Sequence, residues 1–487
     1  MQVRKSSSRP LVIQGGMGVG VSGWRLARAV SLTGQLGVIS GTAMDLILAR
    51  RLQTGDEGGH MRHALANFPI PGVAARILDR YFVPGGKPAD APFKSKPLPS
   101  GAPSKAALEL LVASNFAEVF LARQGHDNPV GINLLEKIQA PTLPSLYGAM
   151  LAGVSCVLMG AGIPRAIPGV LDRLALGEPV ELVLDVHGAG PDDRHTARFD
   201  PASLWPEGVA PPADLHRPEF YAIVSTATLA SVMAKKASGR VDGFIVEGPK
   251  AGGHNAPPRG KMQLTAGGEP IYGERDIANL TAIGAHGLPF WLAGSYARPE
   301  RVAEALRLGA AGVQVGTAFA YCEESGMDDT LKQRVLAKSA AGELSVFTDP
   351  LASPTGFPIK VVNLSGTRAD PAALTPEAAQ AQRLCDLGYL RHAYQCPDGT
   401  MGWRCPAEPV ADYVAKGGTE EQTQGRVCLC NGLMASIGLG RAAELPLVTS
   451  GDDAVEVARF LRPGAETYTA AEVVEYLLRD VASETAV

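Results

Sequence analysis

The chain has 487 residues, of which 46% are apolar, and its 45 basic and 49 acidic side chains give a formal charge of -4. Such a composition is that of a globular protein with ample core material, and its balanced charge gives no electrostatic reason to expect binding to nucleic acid or to an anionic membrane. Because no stretch has the roughly 20 apolar residues of a spanning helix and the N-terminus lacks a signal-peptide pattern, we expect a cytoplasmic protein that acts on a small molecule.

Short apolar runs that end at glycine or a small polar residue alternate with helical patterns along most of the chain. This alternation predicts right-handed βαβ units and therefore a parallel sheet. The helical patterns include residues 22–32, 226–237 and 299–308. The predicted strands are residues 11–14, 37–40, 130–134, 155–159, 180–186, 221–225, 242–246, 289–293 and 312–315.

Nine strands are one more than a (β/α)8 barrel contains. The expendable strand is 180–186, because residues 187–218 are rich in proline, aspartate and histidine and lack an apolar helical stripe. We therefore predict an α/β fold of the TIM-barrel type. A doubly wound open sheet is the competing fold.

The barrel is predicted to span residues 1–365, with two long insertions at about 52–127 and 177–217. The first insertion contains a stretch rich in proline, lysine and glycine, residues 84–104, which is typical of an exposed loop. Residues 366–487 follow as a C-terminal appendage with helical patterns at 376–387 and 470–480. This appendage is a candidate lid over the barrel mouth, with Tyr389, Arg391, Trp403 and Arg404 as its aromatic and charged residues.

The glycine-rich first loop, residues 14–20, precedes a helix but does not match a dinucleotide fingerprint. Its spacing is Gly16-x-Gly18-x-Gly20, and the next strand ends in Ser40 rather than in an acidic residue. The loop suits either close approach of its backbone and Met17 to a flat ring or an ordinary tight turn.

The loop after the sixth strand carries one acid and one imidazole. Glu247 ends the strand, Gly252 and Gly253 allow a flat ligand to approach the backbone, and His254 follows. Reactive groups of α/β barrels lie at this end of the strands, so His254 is the candidate acid or base, although a purely structural imidazole is the alternative. The Glu247 carboxylate suits either a ligand hydroxyl or the N–H groups of its own loop.

The loops after the seventh and eighth strands of TIM barrels commonly bind a phosphate. Here they are Gly294-Ser295 and Gly316-Thr317, in which glycine allows close approach and each hydroxyl can donate a hydrogen bond. Either pair alone suits an ordinary turn, but the two together favour a phosphate site.

Three motifs together resemble the nitronate monooxygenase (2-nitropropane dioxygenase) family. They are the Glu-Gly-x-x-Ala-Gly-Gly-His loop that ends at His254, the Ala-Gly-Ser turn at 293–295, and the run 308–319. Flavin-dependent enoyl-acyl-carrier-protein reductases share that superfamily. The resemblance covers residues 11–360 apart from the insertions, and it implies a TIM barrel that binds FMN.

The resemblance also implies roles for particular residues, with His254 beside the flavin as the catalytic residue. The chain departs from the family pattern at two places. Gly294-Ser295-Tyr296 stands where Gly-Gly-Ile is frequent, and Asn255 follows His254 where glycine is frequent. The identity of the substrate therefore stays open. The implied phosphate ligands are Gly294, Ser295, Gly316 and Thr317, and the implied ring or ribityl contacts are Gly16, Met17, Asn133, Glu247 and Gln314, with Gly252 and Gly253 in the same loop as His254.

Four of the seven cysteines, Cys396, Cys405, Cys428 and Cys430, lie within 35 positions near the C-terminus. With Cys385 they could supply thiolates to a zinc or iron-sulfur centre, but the spacing does not match the usual pairs of zinc sites. We therefore expect no metal and interpret these residues as small buried thiols or an adventitious disulfide, with a metal centre as the alternative that the sequence leaves open.

The sequence leads to three hypotheses about function. The first is FMN-dependent oxidation of a nitronate or a related small carbanion with oxygen, with His254 as acid or base. The second is an NAD(P)H-dependent enoyl-thioester reductase, and the third is a flavin-free phosphate-binding barrel. The sequence leaves open whether a nicotinamide site exists and whether the chain forms a homodimer.

Overall fold

The structure is a computed structural model that describes residues 9–190, 192–370 and 383–480. Its centre is a sheet of eight parallel strands in the order β1-β8-β7-β6-β5-β4-β3-β2. These strands are β1 (Val12–Gln14), β2 (Gly37–Ser40), β3 (Val130–Leu135), β4 (Cys156–Gly160), β5 (Glu219–Val224), β6 (Gly243–Glu247), β7 (Phe290–Ala293) and β8 (Gly312–Val315).

The sheet closes between β1 and the residue that precedes β2. Gln14 N donates to Leu36 O at 2.9 Å, and Leu36 N donates to Val12 O at 3.1 Å. With this closure the predicted TIM barrel is confirmed, and the competing open sheet is wrong.

Large side chains fill the barrel interior. Trp291 is fully buried, its ring lies 5.0 Å from that of Tyr221, and its indole N–H donates to Pro10 O at 2.8 Å. The hydrogen bond satisfies the one polar atom of a large buried ring, so the N-terminal segment is held against the bottom of the barrel. The strands end at the opposite rim, which is the end at which TIM barrels carry their functional residues.

Helices surround the barrel and also occur in the two insertions and the C-terminal segment. The α-helices are Trp24–Leu32, Met44–Gln53, His60–Ala66, Val73–Tyr81, Lys105–Arg123, Thr142–Leu151, Ile167–Ala175, Ala227–Lys236, Leu280–Gly284, Pro299–Arg307, Thr317–Ala320, Asp329–Ala340, Val410–Ala415, Glu420–Thr423, Leu429–Ala435 and Ala470–Leu478. Short 3-10 helices span Glu57–Gly59, Pro201–Leu204, Glu274–Asp276 and Asp452–Phe460.

The segment predicted as the first insertion, 52–127, contains one helix that packs in the outer layer. Helix Lys105–Arg123 begins at Ser104, whose hydroxyl accepts from Ala107 N, and it packs against helices Trp24–Leu32 and Thr142–Leu151. Residues 84–104 contain no helix or strand. They are not uniformly exposed, however, because Lys96 Nζ lies 2.8 Å from Asp45 Oδ2 and both side chains are buried.

The second insertion holds the strand that we predicted to be expendable. Val180–Val183 pairs antiparallel with Thr196–Phe199 and takes no part in the barrel. The nearby strand Val186–His187 joins His392–Gln395 and Met401–Arg404 in a three-stranded sheet. Through this sheet the insertion is attached to the C-terminal part of the chain.

The residues that follow β8 return to the barrel at two places. Helix Ala470–Leu478 contacts helices Trp24–Leu32 and Pro299–Arg307, which confirms the helical pattern predicted at 470–480. At the barrel mouth, strands Val346–Asp349 and Ile359–Val362 form a sheet with the short strand Gly253–His254. The helix predicted at 376–387 lies largely outside the described residues.

Candidate active site

A cavity of about 460 Å³ lies at the carboxyl ends of the barrel strands. All twelve residues that the sequence singled out line it, although they come from five separate strand ends with their loops. They are Gly16, Met17, Asn133, Glu247, Gly252, Gly253, His254, Gly294, Ser295, Gln314, Gly316 and Thr317. Their convergence follows from the barrel, because the strands are parallel and all end at one rim.

The first loop and β3 are in tight contact. A Cβ at Gly16 would lie 2.3 Å from Asn133 Cβ, so this position has no room for any other residue. Asn133 Nδ2 donates to Leu158 O at 3.2 Å, and Met17 N donates to Ser22 Oγ at 2.9 Å. The backbone of the first loop is therefore fixed against the cavity wall.

The loops after β6 and β7 approach each other closely. A Cβ at Gly294 would lie 3.2 Å from Ala251 N, and Gly294 has φ of 100°, which strongly favours glycine. Ser295 also has a positive φ, 62°, and its buried Oγ has no hydrogen-bond partner in the described part of the chain. A non-glycine residue in this conformation is uncommon and is often found at functional sites.

A segment that sequence reasoning did not include completes this wall. Gly451 N donates to Thr317 Oγ1 at 3.0 Å, and a Cβ at Gly252 would lie 2.6 Å from Gly451 N. Ser450 and Gly451 thus lie against the eighth loop and against the loop that carries His254. Their only sequence signal is a small residue and a glycine after the apolar pair Leu447 and Val448.

His254 lies on the short strand beside Ile359, where its Nε2 is 2.6 Å from Ser353 Oγ. The Ser353 hydroxyl lies 2.8 Å from Thr355 Oγ1 and accepts from Thr355 N at 3.2 Å. Burial lowers the pKa of His254 from 6.5 to about 4. The imidazole is therefore neutral at pH 7, whereas the sequence alone suggested a value near 6.5.

Glu247 ends β6 and pairs in register with Ala293, which in turn pairs with Gln314 on β8. Within the described residues its carboxyl group accepts no hydrogen bond, and burial raises its pKa from 4.5 to about 7. The two titratable groups of the loop are thus shifted in opposite directions, each toward its neutral form. This is the behaviour of groups that are removed from water without a counter-charge.

Four buried polar atoms on the cavity wall have no hydrogen-bond partner among the residues the structure describes. Buried polar groups in proteins are nearly always bonded, and leaving one unpaired costs about 1 to 3 kcal/mol. Their concentration on one wall is what a bound polar ligand would satisfy. They are Asn255 Oδ1, Ser295 Oγ, Gln314 Oε1 and Ser450 Oγ.

The C-terminal segment covers the mouth with apolar side chains. Of the four residues that we predicted for the lid, Tyr389 lines this cavity, whereas Arg391, Trp403 and Arg404 line a second cavity beside it. The apolar residues that the segment adds to the first cavity are Leu387, Leu390, Leu429, Leu433, Met434 and Leu447.

Four of the cysteines form a small apolar cluster beside the first cavity, whose lining includes Cys430. All seven are free thiols, and Cys385, Cys405, Cys428 and Cys430 pack together. Burial raises the pKa of Cys428 and thus favours its thiol form. Across residues 9–190, 192–370 and 383–480, no group of three or more His, Cys, Asp or Glu side chains has an arrangement that could hold a metal ion.

None of the helices in the described ranges is long and apolar enough to cross a membrane.

Comparison with known proteins connects this geometry to a family. Residues 208–350 match the family model for nitronate monooxygenase. A nitronate monooxygenase of Paraburkholderia phytofirmans is 30% identical over 191 residues, which are 39% of this chain and 49% of the relative. A substituted octahydro-1H-indene-4-carboxyl-CoA dehydrogenase of Mycobacterium tuberculosis is 31% identical over 125 residues, which are 26% of this chain and 32% of the relative.

The matches thus span half or less of the length of these curated relatives. Among solved structures, nitroalkane oxidase from Streptomyces ansochromogenes is similar with a TM-score of 0.48 and 16% identity, covering 98% of this chain and 97% of that chain. FabK from Thermotoga maritima has a TM-score of 0.46 and 15% identity, covering 98% and 94%. The resemblance to the nitronate monooxygenase family is confirmed by the family match.

Proposed function

We propose that this chain is an FMN-dependent oxidoreductase that oxidises a nitronate, or a related small carbanion, with oxygen. The observation that carries the proposal is the convergence of twelve sequence-predicted residues on one cavity whose wall also holds four unpartnered buried polar atoms. A polar ligand with a flat ring and an anionic end would satisfy such a wall.

The residues present fit FMN. In this proposal, Gly294, Ser295, Gly316 and Thr317 hold the phosphate, since the Ser295 hydroxyl has no hydrogen-bond partner among the described residues and the glycines keep the backbone accessible. The flavin, when bound, supplies a ring that accepts two electrons and passes them to oxygen. The proposed ring and ribityl contacts are Gly16, Met17, Asn133, Glu247, Gly252, Gly253 and Gln314.

His254 is the proposed base. With its pKa lowered to about 4, the imidazole is free of its second proton at neutral pH. In the tautomer that places the remaining proton on Nε2, that atom donates to Ser353 Oγ, and the Nδ1 lone pair can take the proton from the carbon beside the nitro group of a neutral nitroalkane, which forms the nitronate. In this proposal the Ser353 hydroxyl accepts from Nε2 and so favours this tautomer.

The C-terminal segment would exclude water from the reacting carbon. Its leucines and Met434 line the cavity opposite the strand ends. An apolar cover raises the strength of every charge interaction beneath it, which is also why the neutral forms of His254 and Glu247 are favoured.

A second candidate function is reduction of an enoyl thioester by NAD(P)H through the flavin. Two observations favour it: the six apolar side chains of the C-terminal segment offer more apolar wall than a small nitronate needs, and Glu247 has a pKa of about 7. Glu247 is therefore partly protonated at neutral pH and could donate the proton that such a reduction requires. Neutral His254 is poorly suited to that role.

Anaerobic reduction of the purified flavoprotein distinguishes these functions. If propyl-2-nitronate bleaches the flavin bands and NADPH does not, the nitronate reaction is supported. The reverse pattern would reject the nitronate reaction and support the reductase. A protein without flavin absorbance that also takes up no FMN on titration would instead support the flavin-free barrel.

A further inference from the structure

A second cavity, of about 480 Å³, lies beside the first, and Ile138, Tyr389 and Leu390 line both. Its other walls come from the second insertion, at 184–187, and from the C-terminal segment, at 388–404. Its volume is in the range of pockets that bind molecules of nucleotide size. The two cavities together could hold the two ends of one extended molecule.

Arg404 is a buried cation in the wall of this second cavity, with 4% of its surface exposed. Its Nε donates to His392 Nε2 at 3.2 Å, its Nη1 donates to Lys416 O at 2.7 Å, and its Nη2 lies 3.3 Å from His187 Nδ1. The guanidinium also lies 4.6 Å from the Tyr394 ring centroid. None of these partners is a carboxylate.

The imidazole partners do not offset the charge of Arg404. Burial and the neighbouring guanidinium lower the pKa of His392 to about 4, so it is neutral at pH 7. No carboxylate of the described residues lies within 4.0 Å of the Arg404 guanidinium. A buried charge is costly unless an opposite charge or several hydrogen bonds compensate it. Arg404 has three hydrogen-bond contacts but no opposite charge beside it, and an anion in the cavity would supply that charge.

A second guanidinium lines the same cavity. Arg391 Nη2 donates to Pro99 O at 2.7 Å, and its guanidinium lies 5.8 Å from the Trp403 ring centroid. Across the described chain it too has no carboxylate within 4.0 Å. The acidic residue of the lining, Asp185, is largely exposed and lies 3.5 Å from Lys137 Nζ. The cavity thus combines aromatic rings with two guanidinium groups that have no carboxylate partner among the described residues.

We propose that the second cavity binds the phosphate-bearing end of a long substrate or hydride donor, whose reacting end lies in the barrel cavity. Guanidinium groups bind phosphate through paired, charge-assisted hydrogen bonds, and the aromatic rings provide surfaces on which a flat base can stack. This inference rests on the second candidate function, because reduction of an enoyl thioester by NAD(P)H is the reaction whose substrate and hydride donor carry such a phosphate. A coenzyme A-type thioester and NADPH share this chemistry.

The first test is a calorimetric titration of the FMN-loaded protein with two probes, 3′,5′-ADP and 2′,5′-ADP. FMN occupies its own phosphate site, and the two probes carry the phosphates of coenzyme A and NADPH respectively. We expect one probe to bind and Arg404→Gln to weaken its binding about 10-fold or more, as expected for a lost charge-assisted pair. The probe that binds with the lower Kd shows whether the phosphate in this cavity belongs to coenzyme A or to NADPH.

Matched variants separate binding from folding. Arg404→Lys keeps the charge and is expected to lose less affinity, while Arg391→Gln tests the second cation should Arg404→Gln fail to fold. Arg479→Gln is the control, since its guanidinium stacks on Tyr476 at 4.7 Å outside both cavities. The proposal is overturned if neither probe binds the wild-type protein at about 10 mM, or if both glutamine variants bind like wild type.

A kinetic comparison extends the test to turnover. Arg404→Gln should raise KM for crotonyl-CoA or for NADPH, and leave KM unchanged for the phosphate-free analogues crotonyl-N-acetylcysteamine and 1-benzyl-1,4-dihydronicotinamide. Equal effects on both members of a pair would contradict the subsite. Because the titration requires no turnover, failure of the proposed reaction and failure of the subsite give different results.

Discussion

The opposite pKa shifts of His254 and Glu247 predict that two single substitutions change the pH dependence of stability in opposite directions. His254 has a pKa of about 4 in the folded chain, below its ordinary value of 6.5, so it contributes stability that increases as pH rises from 4 to 6.5. Glu247 has a pKa of about 7, above its ordinary 4.5, so it contributes stability that is lost as pH rises from 4.5 to 7.

The two effects are nearly equal. At pH 4.5 the unfolded imidazole is protonated while the folded one is mostly neutral, so His254 lowers the free energy of unfolding by about 2.5 kcal/mol relative to pH 7. Glu247 raises the free energy of unfolding at pH 4.5 by about 2.5 kcal/mol relative to pH 7, because the folded carboxyl group keeps its proton. In the wild-type chain the two contributions therefore cancel. In each single variant only the remaining group contributes, so its effect on the free energy of unfolding becomes measurable.

Urea unfolding of the flavin-free protein at pH 4.5 and pH 7 measures this. Relative to wild type, Glu247→Gln should lose about 2.5 kcal/mol of stability between pH 7 and pH 4.5, and His254→Gln should gain about as much. Differences from wild type remove the contribution of all other titrating groups. If both variants keep the wild-type pH dependence, then neither group is shifted by burial and the reasoning is refuted.

The remaining predictions concern catalysis and flavin binding. His254→Gln should leave FMN bound, as its absorbance spectrum would show, and slow the chemical step about 100-fold or more, whereas unchanged turnover would remove His254 from the mechanism. Ser353→Ala removes the hydrogen bond to Nε2 and should lower kcat about 3- to 10-fold and change its pH profile, with little effect on KM. Ser295→Ala removes a buried hydroxyl that has no hydrogen-bond partner in the described ranges, so fluorescence titration should show about 10-fold weaker FMN binding without a lower Tm. The control Ser114→Ala removes a hydroxyl that donates to Leu111 O at 2.9 Å and should lower Tm alone, and the same pattern in Ser295→Ala would contradict its phosphate role.

The barrel could be predicted from the sequence because its determinants are local. Buried parallel strands are short apolar runs, and they ended within two residues of the predicted positions, at glycine or small polar residues that terminate the strands. The expendable strand was also identifiable, because no amphipathic helix follows it. Since parallel strands in a closed barrel all end at one rim, a correct set of strand ends was enough to bring the twelve candidate residues to one cavity.

The chemistry of that cavity depends on residues far away in the chain. Ser353 is 99 positions from His254, and Gly451 is 134 positions from Thr317, so no local pattern connects either pair. The protonation state of His254 also depends on distant residues. The ordinary pKa of a histidine follows from its residue type, but the value of about 4 for His254 depends on how completely the surrounding chain removes water.

The sequence by itself therefore determined the barrel, its strand ends and the residues that face its mouth, because periodicity, glycine and strand termination act over a few residues. Only the tertiary structure decided that the C-terminal segment covers the mouth, that Ser353 holds His254, and that Arg404 is buried without a carboxylate partner among the described residues. Burial and charge compensation are properties of neighbours in space, and the chain brings those neighbours together only when it folds.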